Sequence, residues 1–243
     1  MRFLEDLPPT IRRLHITARW ITDLDPIAAL GNQLRSLTIV TAPGSSIDLT
    51  RLPRLTTLGA DWQQVRATIE AAVQLRDLYL GHYDEHDLAP LTSLQLLHRL
   101  KLKDRPSVSS LTGLERLDAL RHLAIVLARN LTDLTSLDSA VGRQLESLEL
   151  ESCRRIDDLR MVARCTSVTL LNLGDIGDVR SAAPLAALQR LVHLFLYEST
   201  RFRDGDLESL LELHRLQELR LMNRRHYRPS VDEIKLQVGI GTR

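Results

Sequence analysis

Leucines recur along the chain in a six-residue pattern, Leu-x-x-Leu-x-Leu, whose last apolar positions alternate with polar ones. This alternation is the period-two signature of a half-buried strand. Ten copies align, and their first residues lie 20 to 25 residues apart. Those first residues are Ile11, Leu34, Leu55, Leu75, Leu97, Leu120, Leu145, Val168, Leu191 and Leu216. The pattern predicts ten copies of one structural unit, each with one short strand.

The segments between the units predict short connectors of more than one kind. In ITDLDPIAAL the Asp-Pro pair favours a turn or a short 3₁₀ piece, whereas VRATIEAAVQ and GDLESLLELHR are typical of short helices. One strand with its connector cannot bury its apolar face alone, but stacked copies bury a continuous leucine core. We therefore predict an α/β solenoid: an arc of about ten repeats with a concave parallel β-sheet, and with short helices, 3₁₀ pieces and turns on the convex side.

Over residues 11–223 the chain resembles the leucine-rich repeat family. ITDLDPIAAL and LTDLTSL resemble the internalin class of bacterial repeats, and LESLELESCRRIDDLRMVARCTSV resembles the cysteine-containing class, with Cys153 and Cys165 at its two expected positions. The family's usual Asn after the strand is mostly missing, so we expect less regular turns. The residues at that position are Arg19, Ala42, Gln63, Tyr83, Arg105, Ala128, Cys153, Ile176, Ser199 and Arg224.

The two ends of a solenoid need caps, because an end repeat would otherwise expose leucine to water. Residues 1–10 offer Phe3, Leu4 and Leu7 as a minimal N-terminal cap, and residues 11–223 form the repeat region. Residues 224–243 predict a closing helix after Pro229, with Ser230 as its N-cap, followed by a short tail. Its apolar residues are Tyr227, Val231, Ile234 and Leu236.

Charge and cysteine content limit the classes of partner and the compartment. Lys plus Arg number 32 and Asp plus Glu number 31, a net charge of +1 that argues against a nucleic-acid or membrane-surface protein. The chain has 2 cysteines, which suits a reducing compartment. We find neither a signal-peptide pattern nor an apolar run long enough to span a membrane. We expect a cytoplasmic monomer.

In each unit the third, fifth and seventh residues are predicted to point outward from the concave sheet, where their identity is free for function. Phe195 and Tyr197 share one such strand face, with Arg220 and Met222 on the next strand and Leu170 and Asn172 on the preceding one. Aromatic residues beside Arg and Met are typical of a protein-binding hot spot. The alternative is that these side chains cover their neighbours or pack against the C-terminal cap.

Two charged stripes lie on the same predicted face. Arg99, Lys101 and Lys103 make the fifth unit basic, and Glu149 and Glu151 make the seventh acidic. We include all five among the candidate partner-binding residues. Solvated faces and cross-strand ion pairs explain such charges equally well.

Candidates for catalysis and metal binding are weak. Cys153 and Cys165 occupy repeat positions that predict packed core thiols. The segment GHYDEHD, residues 81–87, offers histidines and carboxylates, for which a polar loop is a simpler interpretation than a metal site. No Gly-x-x-x-x-Gly-Lys phosphate loop occurs. We predict no catalytic residue, no metal and no cofactor.

These observations predict a non-enzymatic module that binds a protein on its concave face. The repeats resemble the sensor arms of bacterial NACHT-type NTPases, a role that would need an NTPase region outside this sequence. They also resemble stand-alone bacterial effector or toxin-immunity proteins. A third alternative is the substrate-recognition arm of an enzyme, such as a ubiquitin ligase, whose catalytic domain is absent. Nucleic-acid binding through the basic stripe is disfavoured, because Glu149 and Glu151 would repel phosphate.

Overall fold

The computed structural model describes residues 10–240, and twelve short strands follow one another along this part of the chain. They are β1 Arg13–Thr17, β2 Ser36–Val40, β3 Thr57–Asp61, β4 Asp77–Gly81, β5 Arg99–Lys103, β6 His122–Val126, β7 Ser147–Glu151, β8 Leu170–Asn172, β9 Asp178–Val179, β10 His193–Leu196, β11 Arg201–Phe202 and β12 Glu218–Leu221. Ten of them form one parallel sheet in the order β1-β2-β3-β4-β5-β6-β7-β8-β10-β12. Strands β9 and β11 pair separately. Each strand of the large sheet begins at the third residue of a predicted unit, so the ten-repeat solenoid is confirmed.

Strand register stacks identical repeat positions on one another. Leu78 of β4 pairs with Leu100 of β5, which in turn pairs with Leu123 of β6. These leucines are buried in one continuous core that runs through the repeats. Truncating one such side chain to Ala costs about 2–5 kcal/mol, since the neighbouring repeats cannot close the cavity. The leucine spacing therefore determines both the core and the strand register.

The connectors opposite the sheet are mostly 3₁₀ helices. They are Asp25–Leu30, Leu49–Arg51, Ile69–Ala71, Ala89–Leu91, Leu114–Arg116, Thr135–Asp138, Val162–Arg164, Ala183–Ala187 and Glu208–Glu212. The α-helices are α1 Trp62–Val65, α2 Ala140–Gln144 and α3 Val231–Gln237. The turn predicted at the Asp-Pro pair is the 3₁₀ helix Asp25–Leu30. The segments VRATIEAAVQ and GDLESLLELHR contain the 3₁₀ helices Ile69–Ala71 and Glu208–Glu212 rather than α-helical turns. A 3₁₀ helix rises about 2.0 Å per residue, against about 1.5 Å in an α-helix, so it covers a short connector with fewer residues.

The turns after the strands are more regular than the missing Asn suggests, so that expectation is wrong for six consecutive repeats. In each of them the eighth residue has a positive φ, between 51° and 65°. These residues are His82, Asp104, Leu127, Ser152, Asp175 and Glu198. In one of these turns a hydroxyl group bonds the backbone of the preceding repeat: Thr200 Oγ1 accepts from the Ile176 amide and donates to the Leu173 carbonyl. The repeats therefore share one turn geometry without sharing one turn residue.

The C-terminal end is closed by α3, as the sequence predicts. Ser230 is its N-cap and forms a capping box with Glu233. Val231 and Ile234 are buried, but Leu236 is 82% exposed, so its assignment to the cap is wrong. Leu236 lies two residues beyond Ile234, on the opposite side of a helix with 3.6 residues per turn. The division into residues 1–10, 11–223 and 224–243 stays a prediction, and Phe3, Leu4 and Leu7 lie outside the described residues.

Candidate functional site

Residues at the same repeat position form rows that cross the concave sheet. In the fifth-position row, Lys101 pairs in register with Ala124, and Ala124 with Glu149. Further along the same row, Asn172 pairs with Phe195, and Phe195 with Arg220. The register therefore brings the predicted site residues into two neighbouring regions of one face.

The first region is a C-terminal patch formed by Leu170, Asn172, Phe195, Tyr197, Arg220 and Met222. The guanidinium carbon of Arg220 lies 5.0 Å from the centre of the Phe195 ring, within the range of a cation–π contact. Arg220 also forms an ion pair of 2.7 Å with Glu218. Hydrogen bonding from this guanidinium lowers the pKa of Glu218 below its ordinary value. Stacking and ion pairing together fix the Arg220 side chain over the ring.

Tyr197 is held by different contacts. A Cβ added to Gly174 would lie 2.4 Å from the Tyr197 ring, so only glycine at this position lets the ring lie across the backbone. Asn172 Nδ2 donates to the Tyr197 hydroxyl at 3.4 Å and to Glu151 at 3.3 Å. Burial, followed by the Glu151 charge, outweighs the Asn172 bond and raises the pKa of Tyr197. The ring is therefore positioned before any partner arrives.

The patch is less exposed than the sequence suggests. Phe195, Tyr197 and Leu170 are half-buried, and Asn172 is only 7% exposed. Asn172 is thus a positioning residue for Tyr197 rather than a contact surface, because its oxygen also accepts from the Gly174 amide. Met222 is 53% exposed and Arg220 is exposed.

Sequence reasoning missed Gly174 and Glu218, which support the patch. Gly174 holds the same repeat position as Tyr197 on the preceding repeat, and Glu218 lies two residues before Arg220 on the same strand face. A comparison of equivalent positions in adjacent repeats could have identified both.

The charged stripes are partly neutralised within the chain. Arg99 pairs with Asp77 at 3.1 Å, and Lys103 pairs with Asp104 at 2.9 Å. Glu151 accepts the hydrogen bond from Asn172. Within the described residues 10–240, no ion pair involves Lys101 or Glu149. These two remain the available charges of their stripes.

A second region, the central depression, lies between the stripes and has a volume of about 410 Å³. Arg99 and Lys101 line one side, Glu146 and Glu149 line the other, and Ala124 lies between them. Ala124 is only 7% exposed, which marks it as the floor. Burial and the neighbouring Arg99 charge lower the pKa of His122, which also lines the depression. The two sides of the depression thus carry opposite charge through Arg99 and Lys101 on one and Glu146 and Glu149 on the other.

Neither cysteine is placed for reaction. Cys153 and Cys165 are unpaired thiols, both buried in the leucine core. Burial raises the pKa of each thiol to about 12. A thiol with such a pKa is almost wholly protonated at neutral pH and is a poor nucleophile and metal ligand.

The segment at residues 81–87 is a hydrogen-bonded loop. His82 Nδ1 lies 3.0 Å from Asp61, and Glu85 accepts from the Trp62 indole at 3.1 Å. Asp84 accepts from Gln63, and Asp87 accepts from the Ala89 amide. Among the residues that the structure describes, no group of three or more His, Cys, Asp or Glu side chains could hold a metal ion.

No helix in the described part of the chain has both the length and the apolar character that crossing a bilayer requires.

Comparison with known proteins identifies the fold. No protein-family model matches the chain, and no curated protein matches its sequence. Among solved structures, an internalin (inlF) from Listeria monocytogenes is similar over 90% of this chain and 68% of its own, with a TM-score of 0.63 and 21% identity. Internalin C2 from the same organism covers 87% of this chain and 81% of its own, with a TM-score of 0.55 and 21% identity. A leucine-rich repeat protein from Leptospira interrogans covers 91% and 69%, with a TM-score of 0.52 and 17% identity. The chain thus has the leucine-rich repeat fold.

Proposed function

We propose that this leucine-rich repeat solenoid is a non-enzymatic module that binds a protein partner on its concave face. The observation that carries the proposal is the C-terminal patch, where Phe195 and Arg220 pair on adjacent strands and Tyr197 and Met222 directly follow those strands. Aromatic, Arg and Met side chains are enriched in the cores of protein interfaces.

The way the patch is built supports recognition. Arg220 is fixed by the Phe195 ring and Glu218, and the Tyr197 ring by Gly174 and Asn172. Side chains that are already ordered lose little rotamer entropy on binding, which otherwise costs about 0.5–1.5 kcal/mol for each immobilised side chain. The exposed parts of Arg220 and Met222 then offer charged and apolar contact area to a partner.

A protein partner suits the charge distribution better than a nucleic acid does. Asp77 and Asp104 already neutralise two residues of the basic stripe, and the acidic side of the central depression lies beside it. Carboxylates so close would repel a phosphate backbone. We therefore predict that the partner is a protein and is neither a nucleic acid nor a membrane.

For the biological setting, we keep the sensor arm of a bacterial NACHT-type NTPase as the leading proposal. A stand-alone effector or toxin-immunity protein, and the recognition arm of an enzyme, are the alternatives. An open reading frame that continues upstream of Met1 into NTPase motifs would favour the first. A cytoplasmic location is supported by the two unpaired, buried thiols, and the monomeric state is an expectation.

The test uses a photo-crosslinking residue, benzoylphenylalanine, in living cells of the source organism. It replaces Phe195 on the concave face and, as a matched control, Ala187, an exposed residue of the 3₁₀ connector Ala183–Ala187. We expect a discrete protein adduct from position 195 and none of that mass from position 187. Equal labelling from both positions, or no protein adduct from position 195, would contradict the proposal.

A further inference from the structure

The central depression contains two opposite charges that the fold keeps apart. Lys101, Ala124 and Glu149 occupy one row on three adjacent strands. Parallel strands lie about 4.8 Å apart, so the backbones that carry Lys101 and Glu149 are about 10 Å apart. Ala124 between them contributes only a methyl group, which leaves the space above it open.

Lys101 and Glu149 form no ion pair with a described residue, whereas the charged residues next to Lys101 do. Arg99 and Lys103 have partners in Asp77 and Asp104, and over residues 10–240 no ion pair reaches Lys101, Glu146 or Glu149. A longer polar side chain at position 124 would bridge the gap between Lys101 and Glu149, but the methyl group of Ala124 does not. The depression instead presents a positive side and a negative side to a ligand.

We propose that the central depression binds an extended segment of a protein partner that carries one acidic and one basic side chain. The acidic side chain faces Lys101 and Arg99, and the basic one faces Glu149 and Glu146. The segment crosses the strands over Ala124 and Ser147. This inference rests on the proposed function and adds the chemistry of the segment that is recognised.

The separation of the two strands that carry Lys101 and Glu149 favours this occupant. An extended chain advances about 3.4 Å per residue, so side chains two or three residues apart span about 7–10 Å. A free amino acid with an uncharged side chain carries its ammonium and carboxylate groups on one carbon atom, so it spans much less than the distance between these two strands. A polyanion such as a nucleic acid would be repelled by Glu146 and Glu149.

The test is selection from a random 12-residue peptide library displayed on phage, with the purified full chain as the target. The charge-swap variant is Lys101→Glu with Glu149→Lys. The matched control is Arg190→Glu with Glu212→Lys, a swap of two exposed residues outside the concave sheet. We expect the wild-type and control chains to enrich peptides with an acidic and a basic residue two or three positions apart.

Affinity measurements on one enriched peptide complete the test. Fluorescence anisotropy should show at least tenfold weaker binding to the charge-swap variant and recovery when the acidic and basic residues of the peptide are exchanged. If the charge-swap variant does not unfold cooperatively on heating, Lys101→Ala and Glu149→Ala replace it, and each should weaken binding.

Three results would overturn the inference: no enrichment of paired charges, equal affinity for the wild-type and charge-swap chains, or self-association of the wild-type chain that the swap abolishes. The last would identify a second copy as the occupant. A protein adduct from position 195 together with a negative peptide selection would leave the proposed function standing and reject this inference alone.

Discussion

Cys153 shows how one residue serves the turn and the core at once. It occupies the repeat position where Asn is usual, and its thiol lies 3.5 Å from the carbonyl oxygens of Ile125 and Glu151. The side chain is fully buried among leucines, as is that of Cys165. A small apolar side chain with a weak donor therefore replaces the Asn without leaving a cavity.

Burial predicts that both thiols are inert in the native protein. A pKa of about 12 means that on the order of one thiol in ten thousand is ionised at pH 8. Iodoacetamide should therefore leave Cys153 and Cys165 unmodified for hours, with mass spectrometry as the readout. The urea-unfolded chain is the control, and both residues should react there at ordinary rates. Rapid modification of either residue in the folded chain would contradict its place in the core.

Turn geometry is the main structural feature at the scale of the elements. Six consecutive repeats turn through a left-handed residue, although the six residues are of five different types. Leu127 is the most unusual of them, because a left-handed conformation costs a residue with a Cβ about 1–2 kcal/mol. Its amide donates to the Glu151 carbonyl of the next repeat at 2.9 Å, which ties the turn to that repeat.

A comparison of Leu127→Gly with Leu127→Ala measures that conformational cost. Both substitutions remove the side chain, but only glycine adopts a φ of 65° without steric penalty. We expect the Gly variant to be more stable than the Ala variant by about 1 kcal/mol in urea unfolding. At an ordinary strand position such as Leu123, Ala should be the more stable of the two, since glycine there only adds chain entropy. An equal or reversed order at position 127 would refute the left-handed turn.

Part of this architecture could be read from the sequence. The leucine spacing predicts where each strand begins, because a shift of one residue would expose the core face. It does not distinguish 3₁₀ from α-helical turns in segments such as VRATIEAAVQ, since that choice depends on the distance to the next strand. It also misses the left-handed turns, which have no common residue type.

The same limit applies to the candidate site. Periodicity correctly assigns Lys101, Glu149, Phe195 and Arg220 to one row, because the strands pair in register. It cannot predict which charges are neutralised by neighbours, nor that Asn172 turns inward to hold Tyr197. Those outcomes depend on side-chain packing between repeats that are about 20 residues apart.

At the scale of the whole molecule, the stacked repeats share one continuous core behind a long concave face. Its centre combines a positive side and a negative side, and its C-terminal part carries ordered aromatic rings beside Arg and Met. A partner that lies along the arc would contact both regions at once. The C-terminal patch should then contribute most of the affinity, and the central depression should determine the orientation of the partner.

The affinity of the photo-crosslinked partner for a double variant, Phe195→Ala with Tyr197→Ala, tests the binding role of the concave face most directly. Both side chains are half-buried at the surface rather than in the leucine core. We therefore expect the free energy of unfolding to change by no more than about 1 kcal/mol. The dissociation constant for the partner should rise at least tenfold. The wild-type chain and the exposed-surface swap Arg190→Glu with Glu212→Lys should bind equally well. Unchanged affinity in the double variant, or a loss of stability large enough to unfold it, would contradict a binding role for these two residues.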